Sequence, residues 1–133
     1  MKAMEDHKDD LILILAGYHK EMDNFLQTNP GLRSRFPIHI EFQDYSHNEL
    51  IEIADQMCTN RQYQLSPQAR LALLCRLNEP IIRANSNFGN ARTVRNLIEK
   101  AFRLQAVRLV KKNTLSKQDL MLLEPSDLPE VET

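Results

Sequence analysis

Tyr45-Ser46-His47-Asn48-Glu49-Leu50 decides how this chain is read, because from there onward apolar residues recur at helical spacing and most helix starts are marked. Ser46 and Glu49 form a capping box, each satisfying an orphan backbone N–H, and Tyr45 and Leu50 stand where a hydrophobic staple closes. The helix that follows runs to about Arg61 and is expected to bury Leu50, Ile53, Ala54, Met57 and Cys58. Ser66-Pro67 opens a second helix, with proline at the first helical position, where its missing N–H costs nothing. Leu71, Leu74, Leu77 and Ile81 or Ile82 are expected to point inward, and Pro80 to kink or stop that helix. After a polar loop over 85–90, Asn90 is the N-cap of a third helix that runs to about Lys112, with Val94, Ile98, Ala101, Phe102, Ala106 and Leu109 as its buried stripe. Ser116 and Asp119 repeat the box, and Leu115 and Leu120 the staple, for a fourth helix ending near Leu123. Four such helices can close one core over 44–123. Residues 124–133, acidic and proline-containing, read as a disordered tail.

Upstream the pattern changes. Lys2 to Lys8 are polar and resemble the tail of a helix. Leu11-Ile12-Leu13-Ile14-Leu15-Ala16 is a continuous apolar run ending at Gly17, the pattern of a strand buried on both faces of a parallel sheet. Ile38-His39-Ile40-Glu41-Phe42 alternates like a second strand, and Lys20 to Gln27 between them reads as a crossover helix, giving one βαβ unit. Two strands do not make a stable sheet, so residues 1–43 read as part of a larger α/β layer. The expected fold class is therefore α+β but mostly α, a partial parallel βαβ followed by a four-helix domain.

Length and composition narrow the function classes. The 133 residues are 42% hydrophobic, ordinary for a soluble globular domain, and Lys plus Arg (17) nearly balance Asp plus Glu (18). Overall charge thus selects for neither nucleic acid nor an anionic membrane. The longest apolar run is too short to span a bilayer and no signal peptide opens the chain, which points to a cytoplasmic protein with no membrane partner. Cys58 and Cys75 both fall in helical apolar patterns and are expected to be buried thiols rather than a disulfide. His7, His19, His39 and His47 match no metal-ligand spacing.

Chemistry can sit on three arginine clusters. Gly31-Leu32-Arg33-Ser34-Arg35-Phe36-Pro37 reads as a rigid loop, between Pro30 and Pro37, that holds Arg35 in a fixed direction. A guanidinium so held suits a phosphate, because its planar fork is permanently charged and bonds bidentately; the alternative is a solvated turn. Gly89-Asn90-Ala91-Arg92-Thr93-Val94-Arg95 puts Arg92 in the first turn of the third helix, where the helix dipole disfavours a cation and favours an anion beside it. Either a phosphate or a nearby carboxylate would account for Arg92. The third cluster, Arg103, Arg108, Lys111 and Lys112, reads as a solvated outer face with Glu99 paired to Arg103, and no aromatic side chains interleave for base stacking.

Absences matter as much. The sequence has no G-x-x-x-x-G-K-[ST] loop, no hydrophobic strand ending in Asp-Glu to hold magnesium, and no Ser/His/Asp or Cys/His pair in catalytic context. The isolated chain is expected to be catalytically inactive and to hold no cofactor by itself.

Five stretches keep both identity and order: Ala16-Gly17-Tyr18; Glu21-Met22-Asp23-Asn24-Phe25-Leu26; Asn29-Pro30-Gly31-Leu32-Arg33-Ser34-Arg35-Phe36-Pro37; Asp44-Tyr45-Ser46; and Asn90-Ala91-Arg92-Thr93-Val94-Arg95-Asn96. In these the chain resembles the stage V sporulation protein K family of AAA+ ATPases, and through it the red-type rubisco activases. The resemblance implies that residues 1–43 belong to the large subdomain of such an ATPase and 44–123 to its helical lid. It implies that Arg35 is the arginine finger reaching a neighbouring subunit's ATP, with Arg33 as a possible helper, and that Arg92 is the sensor-2 arginine on its own subunit's ATP. The sensor-1 position falls at Tyr18, where many AAA+ proteins have Asn or Thr, so the water-positioning role would fall to a phenol. It further implies ATP and magnesium as cofactors of the parent protein, neighbouring subunits of a ring homo-oligomer as partners, and a remodelled protein substrate. The reading from another class is a non-catalytic helical interaction module or nucleic-acid adaptor, using the basic face of the third helix.

Overall fold

The computed structural model describes residues 10–28, 30–79 and 90–130. The readings made of Lys2 to Lys8, Pro80, Ile81, Ile82 and the loop before Asn90 lie outside them. The chain divides into two units, 1–43 and 44–133.

The first unit contains α1 (His19–Thr28) and α2 (Pro30–Arg35), which pack on each other, and Leu26 and Leu32 are its buried apolar side chains. The expected βαβ unit is not formed. Residues 11–16 and 38–42 have no strand structure, and Ile12, Ile14, Ile38, Ile40 and Phe42 are exposed. A strand exists only through its ladder, and no described residue of this unit supplies a pairing partner. Of the segment 31–37, expected as a loop, residues 31–35 instead continue from Pro30 as a short helix that ends at Arg35. Proline's fixed φ suits the first helical position, no breaker follows until Pro37, and the residue before a proline is pushed out of the helical region. Phe36 N donates to Leu32 O at 3.0 Å to close the turn.

The second unit is built on α3 (His47–Asn60), α4 (Pro67–Leu77), α5 (Ala91–Val110) and α6 (Lys117–Met121). Ser46 accepts from Glu49 N, while its amide donates to the Glu49 carboxylate at 2.7 Å and holds that carboxyl below its ordinary range. Ser116 and Asp119 make the same reciprocal pair. Asp119 also accepts from Lys112 Nζ at 2.8 Å, and that bond is the main cause that lowers its pKa. Ser66 caps α4 by accepting from Ala69 N. The staple partners expected beside these boxes, Tyr45, Leu115 and Leu120, are largely exposed.

Leu50, Ala54 and Cys58 of α3, Ala69, Leu73 and Leu77 of α4, and Val94, Leu97, Ile98 and Ala101 of α5 form the core. The buried face of α4 thus follows Ala69, Leu73 and Leu77, and Leu71 is exposed, contrary to the expected stripe. Cys75 is exposed as well, because it lies off that face; Cys58 alone is a buried thiol. Ala106 is likewise exposed, and Gln105 takes the inward position.

Two short strands, β1 (Gln64–Leu65) and β2 (Leu122–Leu123), pair in parallel with Gln64 opposite Leu122 and Leu65 opposite Leu123. No sequence pattern announced them. They bring the end of the described chain back onto the core, so 124–130 is not the expected disordered tail. A 3-10 helix, Pro125–Asp127, packs on α4 and α5, and Asp127 and Leu128 are buried.

Candidate functional site

The four residues read as candidates fall in both units: Tyr18, Arg33 and Arg35 in the first, Arg92 in the second. Tyr18 immediately precedes α1. Its carbonyl accepts from Met22 N at 2.8 Å to start the helix, and its phenol is exposed. Arg33 and Arg35 share the last turn of α2 and are exposed. The Arg35 guanidinium folds back along its helix, and Nη1 donates to Gly31 O at 3.2 Å. A Cβ on Gly31 would stand 2.6 Å from that nitrogen, so the glycine is what gives the guanidinium room to lie there.

Arg92 is exposed in the first turn of α5, a helix of 20 residues. The first amides of any helix have no intrahelical acceptor, and the aligned peptide dipoles make that end positive. Asn90, the N-cap, makes no side-chain bond to these amides, unlike Ser46, Ser66 and Ser116 at the starts of α3, α4 and α6. Arg92 and, one turn on, the exposed Arg95 add two cations to the positive end. Such an arrangement concentrates positive potential and suits an oxyanion with several oxygens.

The basic outer face differs from its sequence reading. Arg108 donates through Nε and Nη2 to both carboxylate oxygens of Asp127, at 2.7 and 2.8 Å, and Nη1 is 3.4 Å from Glu124. The hydrogen bond to Asp127 raises the Arg108 pKa further above its ordinary value. Lys112 is bound to Asp119, and Glu99 pairs with Arg61 at 3.6 Å rather than with Arg103. Of the four cations on that face, only Arg103 and Lys111 remain without a carboxylate partner among the described residues. Arg108 and Gln105 were missed as structural residues, since their partners lie 14 to 19 positions further along the chain.

A cleft of about 590 Å³ is lined by Tyr63, Gln64, Lys117 and Met121 among others and by none of the candidate residues. No group of three His, Cys, Asp or Glu side chains among the described residues could hold a metal ion. No helix among them is long and apolar enough to cross a membrane.

A family model described as the AAA lid domain matches residues 46–133. The stage V sporulation protein K of Bacillus subtilis (strain 168) is 47% identical over 133 residues, covering 96% of this chain and 40% of that protein. Protein CbbX of Cereibacter sphaeroides is 47% identical over 109 residues, 82% of this chain and 35% of CbbX. The chloroplastic ribulose bisphosphate carboxylase/oxygenase activase of Cyanidioschyzon merolae (strain NIES-3377 / 10D) is 37% identical over 134 residues, 96% of this chain and 44% of the activase. The chain therefore spans less than half the length of these curated relatives.

Proposed function

The chain belongs to the AAA lid domain family, and from that premise we propose that it works as part of a ring-forming AAA+ ATPase that couples ATP binding and hydrolysis to remodelling of a protein partner. Residues 44–130 act as the lid and 1–43 as the end of the large subdomain. The exposed apolar segments 11–16 and 38–42 support the second assignment, because they are strand-like in sequence and lack pairing partners among the described residues.

The observation that carries the proposal is the placement of Arg92, inside the lid and in the first turn of a long helix, where a second positive feature favours only an anion. Arg92 is the sensor-2 residue. It balances charge on phosphate oxygens bound to its own subunit, together with the first-turn amides of α5. Arg35 is the arginine finger, acting on the nucleotide of a neighbouring subunit, with Arg33 as its helper. To do so Arg35 must leave Gly31 O, an exposed hydrogen bond to a neutral carbonyl that a phosphate outcompetes. Tyr18 holds the sensor-1 position, where its phenol can donate to or orient a water. The bound nucleotide supplies the phosphoanhydride whose cleavage drives the cycle. Magnesium and the phosphate cradle come from sequence that this chain does not contain, so the chain alone is inactive. The partner is a protein, the ring a homo-oligomer, and the setting cytoplasmic.

No observation favours a nucleic-acid adaptor, since two of the four cations that would carry it are bound internally. The test is nucleotide affinity in a protein that carries this chain together with a Walker A loop. Arg92→Ala is expected to weaken ATP binding about tenfold, the loss of one charge-assisted hydrogen bond. Unchanged affinity contradicts the sensor-2 assignment.

A further inference from the structure

Asn90 stands apart from the N-caps of α3, α4 and α6 in two ways. Its backbone lies at φ 38°, ψ −105°, in the left-handed half of conformational space that few residues other than glycine and asparagine occupy. Its side chain also leaves the first-turn amides of α5 without a cap. The side chain is committed elsewhere: Nδ2 donates to the Asp44 carboxylate, 46 residues away in sequence. The other amide atom, Oδ1, is buried with no partner among the described residues. Asp44 is the first residue of the second unit, next to the boundary after Gln43. Arg92 follows Asn90 by two residues.

We propose that Asp44 is the positioning residue for Arg92. The bond from Asn90 fixes the strained turn that starts α5, and so fixes where the Arg92 guanidinium and the open amides point. Because Asp44 adjoins the junction between the units, any change of backbone there passes to Arg92 through one hydrogen bond. A local cap could not do this, since it would tie the start of α5 only to itself. The inference rests on the sensor-2 reading of Arg92.

Two measurements test it. The first uses this chain: Val94 N donates to Asn90 O at 3.2 Å and reports the integrity of the first turn. Asp44→Ala is expected to speed hydrogen exchange at Val94 about tenfold while leaving the amides of Leu73 and Ile98 unchanged. Asp44→Asn, which keeps an acceptor oxygen, is expected to restore most of the protection and serves if the alanine variant fails to fold. Unchanged exchange at Val94 overturns the proposal. The second uses the nucleotide-binding protein that carries this chain. Asp44→Ala is expected to weaken ATP binding about three- to tenfold, and to add nothing in an Arg92→Ala background. Full additivity, or a silent Asp44→Ala beside an effective Arg92→Ala, overturns it. A silent Arg92→Ala is a different result, and refutes the sensor-2 reading itself.

Discussion

Arg108 on α5 clasps Asp127 with two parallel hydrogen bonds of 2.7 and 2.8 Å, and through it the segment after β2 is locked over the core. Asp127 accepts as well from Glu124 N at 2.8 Å, so one buried carboxylate serves both the 3-10 turn and the helix beneath it. Gln105 supports the same segment by donating through Nε2 to the carbonyls of Asp119, Leu120 and Leu122.

Asp127→Ala is therefore expected to lower the stability of the second unit by about 2 kcal/mol, because it removes both bonds of the bidentate pair and leaves the partly buried guanidinium only Glu124 and the Leu122 carbonyl. Replacing both partners with apolar residues, Arg108→Met with Asp127→Leu, is expected to recover most of that loss. Urea unfolding midpoints check both. A loss below about 1 kcal/mol for Asp127→Ala would mean that the clasp is exposed or water-bridged in solution.

The two cysteines should behave differently. Burial, helped by the nearby Asp55 carboxylate, pushes the Cys58 thiol up to about 11, whereas Cys75 is exposed. At pH 8 a thiol reagent is expected to modify Cys75 in the native chain and both only after unfolding. The folded state favours the neutral Cys58 thiol, so its contribution to stability is whole below the ordinary pKa of 9.0 and is lost as pH rises through about 11. Cys58→Ala is expected to flatten the fall in stability across that window. An equal fall in both proteins would contradict the assignment.

Gln62 ends α3 with φ 62°, and Tyr63 N and Gln62 N donate back to Cys58 O and Thr59 O. This is the double bond pattern that usually places glycine at the left-handed position. Gln62→Gly is expected to raise stability by about 0.5–1 kcal/mol, the relief of the left-handed strain less the greater freedom of glycine in the unfolded chain. A lower thermal midpoint for the variant would show that the Gln62 side chain contributes more than its backbone costs.

The helix starts could be read from the sequence because capping is local: Ser46 with Glu49, Ser66 with Pro67 and Ser116 with Asp119 each act within four residues. The inward face of α4 could not, because nearly every position from Leu71 to Leu77 is apolar and the period has no contrast to reveal. Arg108, Gln105 and the β1–β2 pairing depend on partners far along the chain, and their residue types carry no local signal of burial. The segments 11–16 and 38–42 have the pattern of strands, but pattern alone forms no ladder. For the candidate site, the exposed position of Arg92 in the first turn follows from Asn90 preceding a helical stripe. The tie from Asn90 to Asp44 does not, since it joins two loops that no spacing rule connects.

The most direct test asks whether Arg35 acts on another subunit's nucleotide. In the ring protein that carries this chain, Arg35→Ala subunits are mixed with subunits whose Walker A lysine is changed, and ATP hydrolysis is measured. An arginine finger is worth roughly 10³ to 10⁵ in rate, so each variant alone should be nearly inactive. Mixed rings contain interfaces where an intact Arg35 from the lysine variant faces an intact nucleotide site in the Arg35→Ala subunit, so hydrolysis is expected to return in part. Mixed rings that assemble and stay inactive, with Arg35→Ala rings assembling normally, would contradict action across the interface and leave the end of α2 as a solvated turn.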